Sequence, residues 1–303
     1  MLTDNLITMV EVAPRDGLQA DPSDLSTADK AELIRRLIDA GHTRIEAASF
    51  VSPRAVPKMA DGDELMELVE RPDHVTYSAL AFNQAGLDRA LAAGVNEITG
   101  VVVASETFSQ KNQRATVAES ISRWTSIARQ AKSHGLRSSV TIATAFGCPF
   151  EGAINPENVA DIVDRLADSE PDELCLADTI GVAVPNQVAD LFSNASQRVG
   201  DTVLRGHFHN TRNTGLANVA GAIGAGVRVF DASLGGVGGC PFAPRATGNV
   251  PTEDVVYMVE QMGYSTGLNL DLLIQATHWF ETVLGHPAPG LVAKAGGFPS
   301  PGC

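Results

Sequence analysis

Short apolar runs alternate along this chain with longer segments in which apolar residues recur every three or four positions. Such runs are typical of buried strands, and such periodic segments are typical of amphipathic helices. Residues 26–40 show the helical pattern, because Leu33, Ile34, Leu37 and Ile38 share one face and Gly41 follows as a stop signal. Eight strands are predicted in this way, at residues 6–12, 43–48, 74–79, 97–104, 137–144, 173–177, 203–209 and 227–232.

Helical segments are predicted between all consecutive strands and after the last one. They lie at residues 26–40, 59–69, 84–93, 116–133, 156–168, 185–199, 214–225, 253–261 and 270–284. The helix at 156–168 has Asn155 as a candidate N-cap and Pro156 at its first position. Strands that alternate with helices predict a parallel sheet, and eight such units over about 250 residues match a (β/α)8 TIM barrel.

The alternative architecture is a doubly wound open sheet. That fold normally carries a G-x-G-x-x-G fingerprint after its first strand, and residues 13–17 do not match it. No linker-like stretch divides the chain, so we expect one TIM-barrel domain over residues 1–303. We place the barrel at about residues 6–262, a helical extension at about 263–290, and a flexible Gly- and Pro-rich tail at 295–303.

The composition argues against several classes of partner and of protein. A net charge of −14, from 22 basic and 36 acidic residues, argues against nucleic acid and anionic membrane surfaces as partners. No apolar run approaches the roughly 20 residues that cross a bilayer, and we expect no secretory leader because the first residues lack a basic segment. The four cysteines form no CxxC motif and no disulfide framework. We therefore expect a soluble cytoplasmic protein with free thiols.

Candidate chemical groups collect where the predicted strands end, which is where barrel enzymes carry their active sites. His207 and His209 are two residues apart on a strand, so they point to the same side and can hold one metal ion. Two locally hydrogen-bonded polar residues would give the same pattern. A carboxylate, two imidazoles and an amide oxygen from strands one, seven and eight would suit a divalent cation, Mg²⁺ or Mn²⁺ more than Zn²⁺.

The other candidates each have an ordinary structural explanation as well. Glu46 could be a buried ion-pair partner of Arg15, and Asp178 could cap a helix. Cys240 could be a small buried apolar residue, as free cysteines usually are. The glycine-rich loop before it could be a connector or could cradle a phosphate. The collection as a whole favours an active site more than any single member does.

Longer motifs, spread over about residues 8–258, resemble those of a known family. These motifs are Pro14-Arg15-Asp16-Gly17-Leu18-Gln19, Ile45-Glu46, Ser49-Phe50-Val51-Ser52-Pro53, Val56-Pro57-Lys58-Met59-Ala60-Asp61, Ala104-Ser105-Glu106, Lys111-Asn112, Gly147-Cys148-Pro149-Phe150-Glu151-Gly152, Asp178-Thr179-Ile180-Gly181, His207-Phe208-His209, Gly238-Gly239-Cys240-Pro241-Phe242-Ala243, Gly248-Asn249 and Thr252-Glu253-Asp254. Together they resemble the 3-hydroxy-3-methylglutaryl-CoA lyases, within the wider group of TIM-barrel metallolyases and Claisen-condensing enzymes. The run at 50–61 and the cysteine loop separate the lyases from the synthases of that group.

The resemblance implies a divalent-metal-dependent carbon–carbon lyase. It would cleave 3-hydroxy-3-methylglutaryl-CoA, or a closely related 3-hydroxyacyl-CoA, to acetyl-CoA and a keto acid such as acetoacetate by a retro-Claisen reaction. The implied roles are metal binding for Asp16, His207, His209 and Asn249, enolate stabilisation for Arg15, proton transfer for Cys240 on a closing loop, support of the site for Glu46 and Asp178, and substrate contact for Gln19 and Ser49. Barrels of this kind often form homodimers, and we expect one here.

Three short stretches depart from the family pattern, at residues 20–21, 210–214 and 244–245. None contains an implied metal ligand, but all lie on loops that could line the mouth of the site. We therefore predict that Arg212 and Arg245 provide a new anion contact and that the enzyme takes a related 3-hydroxyacyl-CoA, with some tolerance for the standard substrate. Neutral drift is the alternative. A condensing synthase or aldolase of the same group, and a non-catalytic acyl-CoA-binding barrel, are the competing functional interpretations.

Overall fold

Eight parallel strands close into a barrel in this computed structural model, which describes residues 5–239 and 248–299. The barrel strands are β1 (Thr8–Glu11), β2 (Arg44–Ser49), β3 (Thr76–Leu80), β4 (Glu97–Val103), β5 (Arg137–Ala143), β8 (Glu173–Asp178), β9 (Val203–Phe208) and β10 (Val229–Ala232). Strands β6 (Gly147–Cys148) and β7 (Gly152–Ala153) form a separate antiparallel hairpin. Around the barrel the order is β1-β10-β9-β8-β5-β4-β3-β2, so the predicted (β/α)8 TIM barrel is confirmed.

Helices cover the outside of the barrel and extend beyond its last strand. They are α1 (Leu18–Ala20), α2 (Thr27–Asp39), α3 (Gly62–Leu68), α4 (Gln84–Ala92), α5 (Glu106–Gln113), α6 (Val117–Ser133), α7 (Pro156–Ala167), α8 (Pro185–Ser196), α9 (Gly215–Gly224), α10 (Thr252–Gln261), α11 (Leu270–Leu284) and α12 (Val292–Ala295). Within the described part of the chain, no helix combines the length and apolarity that a bilayer crossing requires.

The sequence pattern explains these helices locally. In α2 the buried face contains Leu33, Ile34 and Leu37, and Gly41 follows the helix with a positive φ of 101° that disfavours other residues. The side chain of Asn155 accepts a hydrogen bond from the Glu157 amide at 3.0 Å, so the predicted N-cap of α7 is confirmed.

Several short elements that follow barrel strands were not predicted, among them the β6–β7 hairpin, helix α5 and a turn after β1. Helix α5 lacks a clear apolar periodicity, since Phe108 is its only large apolar residue. The segment Ala13–Gly17 forms a single π-helical turn directly after β1, and turns of this kind are frequent at functional sites. The last four residues, 300–303, lie outside the described residues, and with them four of the nine residues of the tail that we expected to be flexible.

Candidate active site

A cavity of about 1200 Å³ opens at the carboxyl ends of the barrel strands. Its deep part is lined by Asp16 from the turn after β1, Glu46 from within β2 and His207 from near the end of β9. Thr141 and Arg205 line it further inside the barrel. The cavity therefore occupies the place where barrel enzymes bind their substrates.

Three predicted metal ligands converge at the bottom of this cavity. Potential ligand atoms of Asp16, His207 and His209 all lie within 4.8 Å of one another. Asp16 is presented by the π-helical turn after β1, and the two histidines stand at the end of β9 on the same side of the strand. One metal ion can be reached by all three side chains at ordinary ligand distances.

The fourth predicted ligand, Asn249, is brought to the site by backbone pairing. The segment around it runs alongside the end of β9, with hydrogen bonds from the Asn210 amide to Gly248 O at 2.9 Å and from the Val250 amide to Phe208 O at 3.0 Å. The Asn249 Nδ2 atom donates to Asp16 Oδ2 at 2.9 Å, while its Oδ1 has no hydrogen-bond partner among the described residues. Rotating this amide places Oδ1 beside Asp16, so the residue fits a ligand set of two imidazoles, a carboxylate and an amide oxygen.

The environment gives the two histidines different protonation tendencies. Burial lowers the pKa of His209 to about 3, which keeps its imidazole in the neutral form that binds metals. Burial acts the same way on His207, but a hydrogen bond to Asp231 and the charges of Asp231 and Asp16 outweigh it and raise the pKa of His207. Its Nδ1 lies 3.1 Å from Asp231 Oδ2, which leaves Nε2 free to face a ligand.

A guanidinium group stands at the edge of the ligand set. Arg15 Nη1 donates to Asp16 Oδ1 at 2.9 Å, and Nη2 donates to Glu46 Oε2. Burial would raise the pKa of Asp16, but Arg15 and the two histidines hold it below its ordinary value. Burial raises the pKa of Glu46, although Arg15 opposes that shift. Arg15 thus places a permanent positive charge beside the site, and the two carboxylates fix its position.

The remaining predicted site residues fall into three groups. Gln19 lines the cavity, and Ser49 is buried nearby; within the described chain, Gln19 Oε1 and Ser49 Oγ have no hydrogen-bond partner. Asp178 and Arg212 instead bind backbone of the loop after β8. The Asp178 carboxylate accepts from the Val182 and Ala183 amides, both at 2.9 Å, and Arg212 Nη1 donates to the carbonyls of Ile180 and Gly181 at 2.8 and 2.9 Å. Cys240 and Arg245 lie outside the described residues.

Two residues of the site were missed by the sequence analysis. Asp231, in the middle of β10, contacts His207, and Arg205, in β9, contacts Asp231. A signal for both was present, because each places a charge inside an otherwise apolar strand. Buried charges of this kind are rare unless they are paired, so they mark a polar cluster inside the barrel.

Basic side chains surround the outer part of the cavity. Five of them line it, namely Arg54, Lys58, Lys111, Arg114 and Arg123. The acidic side chains among the described lining residues are Asp16, Glu46 and Asp231, and all three lie at the bottom beside the histidines. A chain with an overall charge of −14 therefore has a cationic entrance to this cavity.

Comparison with known proteins agrees with this geometry. Residues 6–279 match the HMGL-like family. This chain belongs to the HMGL-like family. Two relatives of similar length are (R)-citramalyl-CoA lyase of Chloroflexus aurantiacus, 45% identical over 300 residues with 96% of this chain and 95% of that protein covered, and hydroxymethylglutaryl-CoA lyase of Pseudomonas mevalonii, 42% identical over 279 residues with 92% and 93% covered.

The solved structures extend the comparison to the whole barrel. An HMG-CoA lyase from Acinetobacter baumannii, solved in complex with coenzyme A and 3-methylmalate, superimposes with a TM-score of 0.94 at 42% identity, covering 99% of this chain and all of that one. The HMG-CoA lyase of Bacillus subtilis gives a TM-score of 0.93 at 39% identity, covering 96% of this chain and 98% of that one. The resemblance inferred from the motifs is confirmed, and so is the prediction of a lyase.

Proposed function

We propose that this HMGL-like protein is a divalent-metal-dependent lyase whose substrate is an acyl-CoA with a tertiary 3-hydroxyl group and a terminal carboxylate. The products would be acetyl-CoA and an oxo acid. 3-Hydroxy-3-methylglutaryl-CoA and citramalyl-CoA both belong to this class and differ by one methylene between the carbinol carbon and the carboxylate. The observation that carries the proposal is the convergence of Asp16, His207 and His209 beside Arg15 at the bottom of one cavity.

The residues of the site fit Mg²⁺ or Mn²⁺. Asp16, His207, His209 and Asn249 would hold the ion, and such a mixed nitrogen and oxygen set suits these cations more than a thiolate-rich site would. The unpartnered Oδ1 of Asn249 and the unpartnered Nδ1 of His209 show, for the described residues, that buried polar atoms remain available there. When bound, the cation supplies a positive centre that polarises the substrate hydroxyl and holds its carboxylate.

The protein itself contributes to the stabilisation of negative charge. In the reaction a base takes the hydroxyl proton and the hydroxyl oxygen becomes the carbonyl of the oxo acid. The bond between C2 and C3 breaks at the same time, and its electron pair moves onto the thioester carbonyl as an enolate. Arg15 carries a permanent charge and is held in place by Asp16 and Glu46, so it can stabilise that oxygen without rearranging. Protonation of C2 then gives acetyl-CoA.

Cys240 is our proposed donor of the proton that completes the reaction. It lies outside the described residues, but Gly239 immediately before it lines the cavity. A thiol has a suitable pKa range for proton transfer to an enolate carbon. Its participation rests on the family resemblance and stays a prediction, as do the homodimer and the cytoplasmic location.

The cationic entrance supports recognition of the coenzyme. Coenzyme A carries a 3′-phosphate and a pyrophosphate, and phosphates are commonly bound by arginine and lysine. Lys111 lies with its ammonium 5.0 Å from the centre of the Phe150 ring, which holds one of these charges near the entrance. The acyl group would then reach the metal ligands while the nucleotide part remains among the basic side chains.

A parallel assay of both thioesters tests the proposal. Each is incubated with Mn²⁺, and acetyl-CoA, acetoacetate and pyruvate are quantified, with EDTA and EDTA followed by excess Mn²⁺ as controls. Metal-dependent release of acetyl-CoA with the matching oxo acid supports the lyase and identifies the acyl group. Condensation of acetyl-CoA with an oxo acid, but no cleavage, would favour the synthase. Binding of the thioesters without any turnover would favour a non-catalytic barrel.

A further inference from the structure

One metal ligand has a supporting pair behind it, deeper in the barrel. The carboxylate of Asp231 lies with Oδ2 3.1 Å from His207 Nδ1 and with Oδ1 3.4 Å from Arg205 Nε. Both Asp231 and Arg205 line the same cavity as His207, and both are almost completely buried. A continuous line of polar contacts therefore runs from Arg205 through Asp231 to His207.

The neighbouring charges show that Arg205 is the counter-charge of Asp231. Four side chains at the opposite end of the barrel form what we name the floor cluster, consisting of Arg44, Glu97, Arg137 and Glu173. In it Arg44 donates to Glu173 at 2.6 and 2.9 Å and to Glu97 at 2.9 Å, and Arg137 donates to Glu173 at 3.0 Å.

Two arginines and two glutamates of the floor cluster balance each other. Arg205 Nη1 lies 3.4 Å from Glu173 and 3.8 Å from Glu97, beyond the distances at which Arg44 and Arg137 bind these glutamates. Its Nε lies 3.4 Å from Asp231 Oδ1. Because Arg44 and Arg137 already balance the two glutamates, Asp231 supplies the further negative charge that the buried Arg205 requires.

We propose that Asp231 and Arg205 are positioning residues of the metal centre, which rests on the metal-dependent function proposed above. Asp231 accepts the Nδ1–H of His207, which fixes the ring orientation and the tautomer whose Nε2 is free for the ion. Arg205 in turn attracts the Asp231 carboxylate as an ion-pair partner at 3.4 Å. Carboxylates that bind the outer nitrogen of a metal-ligating histidine typically change metal affinity by about 10- to 100-fold when they are removed.

The decisive variant is Asp231→Asn, measured by Mn²⁺ binding in an electron paramagnetic resonance titration of the purified full-length protein. Asparagine has nearly the same shape but is uncharged, and its amide can turn a donor toward His207. We expect the dissociation constant for Mn²⁺ to rise by about 10- to 100-fold. The matched control is Glu173→Gln, which removes a carboxylate 3.4 Å from Arg205 that belongs to the floor cluster and not to the His207 contact. It is expected to leave Mn²⁺ affinity unchanged even if it lowers the melting temperature.

Variants of Arg205 test the second half of the line of contacts. Arg205→Met should weaken Mn²⁺ binding, and Arg205→Lys, which retains the charge, should restore most of it. The double variant Arg205→Met with Asp231→Asn should bind Mn²⁺ about as well as Asp231→Asn alone, because both changes act through the same imidazole.

A measurement on the unmodified protein does not depend on the folding of any variant. Nitrogen-15 correlation spectra of the histidine rings, recorded with Mg²⁺, should show His207 protonated on Nδ1. A His207 ring protonated on Nε2, or Asp231→Asn with wild-type Mn²⁺ affinity, would overturn the positioning role while leaving the lyase proposal intact. A wild-type protein that binds no Mn²⁺ would overturn both, and the thioester assay identifies that case independently.

Discussion

Two buried clusters of charge lie at opposite ends of the same barrel and are built from similar residues. In the floor cluster, Arg44 and Arg137 make close hydrogen bonds to Glu173, and Arg44 also reaches Glu97. At the carboxyl end, Arg15 binds Asp16 and Glu46. Arginine–carboxylate pairs alone therefore do not distinguish a structural cluster from an active site.

The difference lies in the atoms that remain without partners. At the carboxyl end, Glu46 Oε1, His209 Nδ1 and Asn249 Oδ1 are buried and, within the described chain, accept or donate no hydrogen bond. In the floor cluster, Glu97 Oε1 is in the same situation, but it faces Arg205 at 3.8 Å. An unpaired buried polar atom costs about 1–3 kcal/mol, so a group of them that faces a cavity indicates a site for a ligand.

The largest effect is expected for substitution of Arg15, which should lower the activity, whereas substitutions in the floor cluster should not. Arg15→Met removes the charge that would stabilise the enolate, so we expect kcat to fall by about 10²- to 10³-fold in an acetyl-CoA release assay. Arg15→Lys should recover little, because one ammonium group cannot reproduce the paired contacts to Asp16 and Glu46. Full turnover by Arg15→Met would remove this residue from the mechanism.

Substitution of Arg44 in the floor cluster should instead lower the free energy of unfolding. Arg44→Met leaves Glu97 and Glu173 without their closest cation, and breaking a buried pair in this way typically costs about 3–5 kcal/mol. Urea unfolding should show that loss, while kcat of the folded fraction stays at the wild-type value. Exposed Arg35→Met, which breaks surface pairs with Glu32 and Asp39, is the control and should cost at most about 1 kcal/mol. Loss of catalysis in Arg44→Met without loss of stability would erase the distinction between the clusters.

Glu253, a buried carboxylate outside both clusters, predicts a dependence of stability on pH. Glu253 accepts a hydrogen bond from the Gly235 amide at 3.0 Å, and burial raises its pKa from 4.5 to about 8. Between pH 4.5 and pH 8 the folded state holds a proton that the unfolded state has lost, so this group makes the folded state less stable as the pH rises. Its contribution changes by at most about 1.4 kcal/mol per pH unit in that window.

Glu253→Gln should remove this dependence. The free energy of unfolding of the variant minus that of the wild type is expected to increase from pH 5 to pH 8 and then to level off, as measured by urea unfolding at several pH values. Glu157→Gln, at an exposed position in the first turn of α7, is the control for a charge change alone. A difference that stays constant over this range would show that Glu253 is not protonated in the folded protein.

The smallest expected effect concerns the cationic entrance. Arg123→Ala removes a charge that lines the cavity, and we expect KM for the acyl-CoA to rise by about 2- to 5-fold with kcat unchanged, since exposed charge pairs contribute little and are screened by salt. The corresponding acyl-pantetheine, which lacks the nucleotide phosphates, should show no change in KM. Arg129→Ala on the same helix, which does not line the cavity, is the matched control. An equal rise in KM for both thioesters would show that Arg123 contacts the acyl part of the substrate and not the nucleotide.

Much of the fold could be predicted because local patterns repeat. The eight barrel strands were all predicted within about two residues of their observed bounds, and Leu270–Leu284 was predicted at its observed ends. The proximity of the four predicted metal ligands could also be inferred from motifs, since strand alternation places His207 and His209 together and the family resemblance adds Asp16 and Asn249. Helix α5 was missed because its polar composition gives no periodic signal.

The sequence by itself determined the barrel and the kind of chemistry at the ends of its strands, because both depend on short-range order and on side-chain type. Only the tertiary structure decided which partner each charged group has. His207 and Asp231 are 24 residues apart, and Arg44 and Glu173 are 129 apart, yet each pair is in hydrogen-bond contact. The tertiary structure also shows that Asp178 and Arg212 bind backbone atoms of a loop and do not line the cavity. Such choices depend on closure of the barrel, which brings together strand ends that no local pattern relates.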